Sequence, residues 1–94
     1  MDRRALRLII RGRVQGVGYR VWARGEARRL ALDGWTRNRR DGSVEILAVG
    51  NDPALERLVE VCWRGPAGAA VTLVERTVTE DDGSVGFEVR PTAP

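Results

Sequence analysis

From Ala5 to Arg11 apolar and polar side chains alternate: Leu6, Leu8 and Ile10 fall on one face of an extended segment, Arg7, Ile9 and Arg11 on the other. That period of two predicts a strand in a sheet with one buried face. The period then lengthens. Val21, Ala23, Ala27, Leu30 and Ala31 recur at spacings of three and four with Arg24, Arg28 and Arg29 between them, which predicts an amphipathic helix with a solvated arginine face. Gly25 weakens that helix and is expected to mark close packing. Asp33-Gly34 ends it, Trp35 to Arg39 reads as a second strand, and Asp41-Gly42 is a two-residue hairpin signal. In the third strand Val44, Ile46 and Ala48 alternate with Ser43, Glu45 and Leu47.

Gly50-Asn51-Asp52-Pro53 then opens a second helix, with an N-cap candidate and a proline in the first turn. Leu55, Leu58, Val59 and Cys62 form its apolar stripe, and Arg64-Gly65-Pro66 stops it. Val71 to Thr79 and Val85 to Val89 are β-rich, separated by the turn Asp81-Asp82-Gly83-Ser84, with Val85, Phe87 and Val89 expected to point inward. The order βαββαβ with a final strand, joined by right-handed crossovers, predicts an antiparallel sheet with two helices on one face. This is a ferredoxin-like α+β sandwich. No linker, repeat or low-complexity segment interrupts it, so residues 1–94 read as a single domain.

Between the first strand and the first helix lies Gly12-Arg-Val-Gln-Gly16-Val-Gly18-Tyr-Arg20. Glycines there let the backbone turn its N–H groups inward on an anion. The helix that follows presents its positive N-terminal end, and Arg20 offers a planar guanidinium suited to two phosphate oxygens. The loop is neither a GxGxxG fingerprint, because Gly16-Val-Gly18 lacks the third glycine, nor a Walker loop, because the chain has no lysine. The predicted topology adds one more group. Strands one and two run parallel with strand three between them, so Asn38, at the end of strand two, reaches the same rim as the loop.

Composition narrows the chemistry. All sixteen basic residues are arginine and the net charge is +3, which favours anionic partners without choosing among them. There is no histidine, and the single Cys62 rules out an internal disulfide and the usual zinc or haem ligand sets. The longest early apolar run, Leu8-Ile9-Ile10, is too short for a signal-peptide core or a membrane span, so a cytoplasmic protein is expected.

The loop Gly12 to Arg20, the segment Gly34-Trp-Thr-Arg-Asn38, Asp41-Gly42-Ser-Val-Glu45, Gly65-Pro66 and Val71 to Phe87 resemble the acylphosphatase family in order and spacing over nearly the whole chain. The resemblance implies that Arg20 binds a phosphoryl group together with the backbone amides of Gln15, Gly16, Val17, Gly18 and Tyr19. It implies that Asn38 orients the attacking water, with Arg20 and Asn38 as the catalytic pair and no metal or cofactor. The expected substrate is a small acyl phosphate, with inorganic phosphate or sulfate as competing anions, on a monomer that binds neither nucleic acid nor membrane. Two departures from the family pattern are evident: Thr36 stands where an apolar residue is usual, and Arg39-Arg40 make the hairpin more basic than most. Tyr19 replaces the more common phenylalanine and keeps the packing role of the ring, so its hydroxyl needs a partner or solvent.

An acyl phosphate is an activated anhydride, so positioning and charge stabilisation suffice for its hydrolysis and no protein nucleophile is required. The rival reading is a small RNA- or single-strand-binding module of the same topology. Neither Leu6 to Arg11 nor Ser43 to Val49 carries an aromatic on which a base could stack, which weighs against it. A third reading is a phosphate-binding or carbamoyl-phosphate-processing domain of a larger protein. Trp22, Trp35 and Trp63 are expected to pack structurally, and Cys62 to be a buried thiol.

Overall fold

The computed structural model describes residues 3–94, in the order β1 (Arg4–Arg13), α1 (Tyr19–Arg29), β2 (Asp33–Asn38), β3 (Val44–Gly50), α2 (Asp52–Arg64), β4 (Ala70–Thr79) and β5 (Phe87–Val89). The strands form one five-stranded sheet in the order β4-β1-β3-β2-β5. Leu6, Leu8 and Ile10 of β1, Val44, Ile46 and Ala48 of β3 and Phe87 of β5 share the core with Ala23 and Ala27 of α1 and Leu55, Leu58, Val59 and Cys62 of α2. Both helices therefore cover one face, as the alternation predicts. The other face mixes arginines and carboxylates with Ile9, Leu73 and a small cluster of Ala5, Leu47 and Val49, against which Trp35 packs. No helix among the described residues is long and apolar enough to cross a membrane.

The sheet is mixed rather than antiparallel, because β5 pairs with β2 in parallel. Chain direction accounts for this correction. β1 and β2 are both antiparallel to β3, and β4 is antiparallel to β1, so β4 ends where β1 and β2 begin. The chain crosses the sheet at that end and can only run on in the direction of β2. Asp33 accepts a hydrogen bond from Gly86 N–H at 2.8 Å and an ion pair from Arg3, which fixes the entry to β5 and holds the Asp33 carboxyl below the usual range. Val85 lies before the strand and is 91% exposed, so of the expected inward trio only Phe87 is buried and Val89 is half-buried.

Other local expectations shift for physical reasons. α1 ends at Arg29, and Ala31 takes a left-handed φ of 57°, so Ala31 leaves the stripe and Asp33-Gly34 belongs to β2. Val21 is 58% exposed, Gly25 faces open space rather than a close neighbour, and Trp63 is largely exposed instead of packed. The hairpin takes a third loop residue: Arg39 N–H bonds to Ser43 O at 2.9 Å around Arg40, Asp41 and Gly42. Gly34 shows why β2 and β3 lie so close. Its φ is 133°, and a Cβ there would sit 1.9 Å from the carbonyl oxygen of Leu47. Thr36 is fully buried on the core side and satisfies its hydroxyl by donating to Glu45 O at 3.0 Å, so the polar departure costs no unpaired group.

Tyr19 joins the start of α1 to the end of α2. Its ring packs edge-on against Trp22 with centroids 5.2 Å apart, and its hydroxyl donates to Cys62 O at 2.7 Å. The residue four beyond Cys62 is Pro66, which has no N–H to return the helical bond, so the tyrosine hydroxyl supplies the missing donor. Tyr19→Phe therefore leaves a buried carbonyl unsatisfied and should lower stability by about 1–3 kcal/mol. Urea denaturation of the two proteins checks this, and phosphate affinity should stay within twofold because the backbone of the loop is unchanged.

Candidate active site

The loop from Val14 to Gly18 turns on two residues in the left-handed region, Gly16 at φ 75° and Gly18 at φ 79°. A Cβ at either would meet nothing within 4 Å, so these glycines are required by backbone conformation and not by crowding. Gly18 is the N-cap of α1, yet no side chain caps the helix and no acidic residue lies in its first turn. The first N–H groups of the helix consequently have no side-chain acceptor and face the loop, which is the arrangement that attracts an anion.

Gln15 sets the position of this loop against the hairpin. Its Nε2 donates to Arg39 O at 2.8 Å and to Ser43 O at 2.9 Å, so one amide holds both sides of the β2–β3 connection. The hairpin itself is tightened by Asp41, whose Oδ1 accepts from Ser43 N–H at 3.0 Å and from the Ser43 hydroxyl at 2.6 Å. These bonds hold the Asp41 carboxyl down at about 2, so it stays ionised well below neutral pH.

A cavity of about 120 Å³ opens beside the loop, lined by Val14, Gln15, Gly16, Gly18, Tyr19, Arg20, Val21 and Asn38. The fold thus gathers Gln15, Gly16, Gly18, Tyr19, Arg20 and Asn38 at one site. Val17 is the exception, since its side chain packs against the core and it does not line the cavity. Arg20 Nη1 donates to Arg90 O at 3.2 Å, which leaves its remaining N–H groups for the cavity. Asn38 is anchored through its backbone, where Ala93 N–H donates to Asn38 O at 2.9 Å. Among the described residues no partner takes up the Asn38 side-chain amide.

Sequence reasoning did not assign Val14 and Val21 to the site, nor the carbonyl of Arg90 as a rest for Arg20. Val14 and Val21 sit within or beside the glycine segment, where the spacing was a usable signal. Arg90 is 70 positions from Arg20 and reaches it only because β5 pairs with β2, for which the sequence has no local signal. Cys62, the one thiol, is buried away from the cavity with its ionisation pushed up to about 12 by burial, and burial likewise raises Tyr19. Neither is an available nucleophile at neutral pH.

A family model described as Acylphosphatase matches residues 6–89. An acylphosphatase of Acidiphilium cryptum (strain JF-5) is 51% identical over 88 residues, covering 94% of this chain and 97% of that protein. An acylphosphatase from Coxiella burnetii superposes with a TM-score of 0.91 at 34% identity, covering 95% of this chain and 94% of that one. An acylphosphatase from Bacillus subtilis gives 0.90 at 40% identity, covering 93% of this chain and 98% of that one. The family match spans residues 6–89, these relatives are covered over nearly their whole length, and the chain belongs to the acylphosphatase family.

Proposed function

We propose that this chain hydrolyses small acyl phosphates to a carboxylate and inorganic phosphate, using a phosphate cradle and an oriented water and no metal. The observation that carries this reading is the single cavity in which the glycine loop, Arg20 and Asn38 meet. The amides of Gln15, Gly16, Gly18 and Tyr19 and the Arg20 guanidinium hold the non-bridging phosphoryl oxygens and stabilise their charge. The Asn38 amide holds a water opposite the leaving group. Oxygen of that water bonds to phosphorus as the bond from phosphorus to the acyl oxygen breaks, and the pair of electrons leaves with the carboxylate.

Proton traffic fits a site without a titrating base. The leaving carboxylate is a weak base and departs unprotonated at neutral pH. The proton of the attacking water passes to a phosphate oxygen, a role for which the chain has no histidine to offer. Among the described residues no three His, Cys, Asp or Glu side chains are grouped as a metal site needs. The polar groups that line the cavity are the loop, Arg20 and Asn38, which recognise a phosphoryl group and a water, so selectivity resides in the phosphate end. The loop, Arg20 and Asn38 lie within one sheet-and-helix unit, which supports reading the chain as a single domain. The rival nucleic-acid reading finds no stacking platform on the open face, where Trp35 carries Arg37 and Arg90 over its ring at 4.8 and 4.7 Å.

Three measurements test the reading. Phosphate release from a simple acyl phosphate should persist in a chelator, while a stable phosphate monoester should turn over at least ~10³-fold more slowly because it lacks the activated leaving group. Equal rates, or activity restored by added divalent metal, would refute it. Inorganic phosphate and sulfate should inhibit competitively, since they occupy the cradle itself; a pattern other than competitive inhibition means that the cradle is not the main handle of the substrate.

The third separates the two side chains. Arg20→Lys keeps the charge but loses the fork, so phosphate affinity and kcat should both collapse. Asn38→Ala should lower kcat by about 10²-fold or more with phosphate binding nearly unchanged. Wild-type turnover in Asn38→Ala would sink the water-orienting role.

A further inference from the structure

On the open face of the sheet, at the end nearest the hairpin, Arg7, Arg37, Arg39, Arg40, Asp41, Glu45, Ala93 and Pro94 line a groove of about 350 Å³. We propose that this groove is a second oxyanion site, separate from the cradle, that takes a small molecule bearing two or more phosphate groups.

The floor of the groove is Glu45, whose side chain is only 5% exposed. Its two oxygens are each taken by a different guanidinium and each through Nε: Arg7 at 2.6 Å and Arg37 at 2.7 Å. One carboxylate thus orients two cations, and because both are gripped at Nε the terminal Nη atoms of each have no acceptor among the described residues. These two arginines hold Glu45 ionised, its carboxyl below the usual range in spite of burial. Arg37 is fixed further by lying over the Trp35 ring, so what it offers a ligand is its edge, the side that forms paired bonds to an oxyanion.

The mouth of the groove adds charge. Arg39 is 3.9 Å from Asp41, which it shares with Arg11 at 3.4 Å, and Arg40 has no ion-pair partner among the described residues. Four arginines against the side chains of Asp41 and Glu45 and the carboxylate of Pro94, the last residue of the sequence, leave one net positive charge along the groove. Half-buried arginines such as Arg37 and Arg39 feel less screening than cations extended into water. The pre-oriented edges of Arg7 and Arg37 beside Arg40 match an oxyanion with several acceptor oxygens better than a single carboxylate. The cradle lies on the helix-covered side of β2 and the groove on the other, so no side chain lines both.

Isothermal titration with pyrophosphate tests this on the wild type and three variants. The wild type should bind two pyrophosphate ions, and Arg20→Lys should bind one, in the groove. Arg39→Gln/Arg40→Gln leaves the Glu45 pairs intact and so keeps the fold; it should weaken the groove site about tenfold or more and leave the cradle site in place. Arg24→Gln/Arg28→Gln removes the same charge from α1 and should change the groove affinity less than twofold. A single wild-type site that Arg20→Lys abolishes would overturn the proposal. So would equal weakening by the α1 pair, which would reduce the groove to net charge alone. Loss of turnover in Arg20→Lys with both pyrophosphate sites retained would count against the cradle reading and leave the groove standing.

Discussion

The site exists because β1 and β2 run in the same direction and end at the same edge of the sheet. Each is antiparallel to β3 and flanks it, a placement fixed by two ladders of hydrogen bonds whose register is held by Leu8 opposite Ile46 and Thr36 opposite the same residue. A slip of one residue in either ladder would turn a buried side chain to the charged face, so the core enforces the alignment. The loop after β1 and the last residue of β2 meet at that edge as a consequence. Gln15 then converts a shared edge into a fixed distance, by bonding both ends of the hairpin that begins after Asn38.

Polar groups in the interior serve the same alignment. The hydroxyl of Tyr19 replaces the donor that Pro66 lacks, the hydroxyl of Thr36 caps the carbonyl of Glu45, and Glu45 itself ties β1 to β2 across β3 through Arg7 and Arg37. No buried side-chain nitrogen or oxygen among the described residues lacks a partner. Exposed ion pairs such as Arg57–Glu60 or Arg4–Asp52 contribute little by comparison, because water screens them. The arginines matter more for where they hold their edges than for the energy of their pairs.

The features legible in the sequence are those with local causes. The strands β1 and β3, the Asn51 cap and the stripe of α2 depend on neighbours a few residues apart, and each element stands where its pattern places it, although β3 is buried on both faces and β1 buries Ala5 and Ile9 on the face away from the helices. The loop was legible because left-handed backbone needs glycine, and Asn38 because strand direction needs only the element order. The parallel pairing of β5 was not, since three residues carry no register signal and its direction follows from where β4 ends. For the same reason Val85 reads as strand yet stands in solvent. The exposed Trp63 and Val21 have apolar character with no neighbour to bury it, which spacing on a helix alone does not reveal.

The proposed chemistry explains why so much of this small chain is spent on alignment. A nucleophilic enzyme tolerates some looseness, because a covalent bond fixes the geometry once formed. A site that only places a water and an anhydride relies on the scaffold for in-line geometry throughout, and an error near 1 Å costs about two orders of magnitude in rate. The groups that set the geometry here, the Gln15 amide, the Asp41 turn and the Arg90 carbonyl beneath Arg20, are peptide groups, an amide and a carboxyl held down at about 2. None changes its charge near neutral pH. The alignment is therefore insensitive to proton concentration near neutral pH, and the site keeps its shape while the substrate supplies the reactivity.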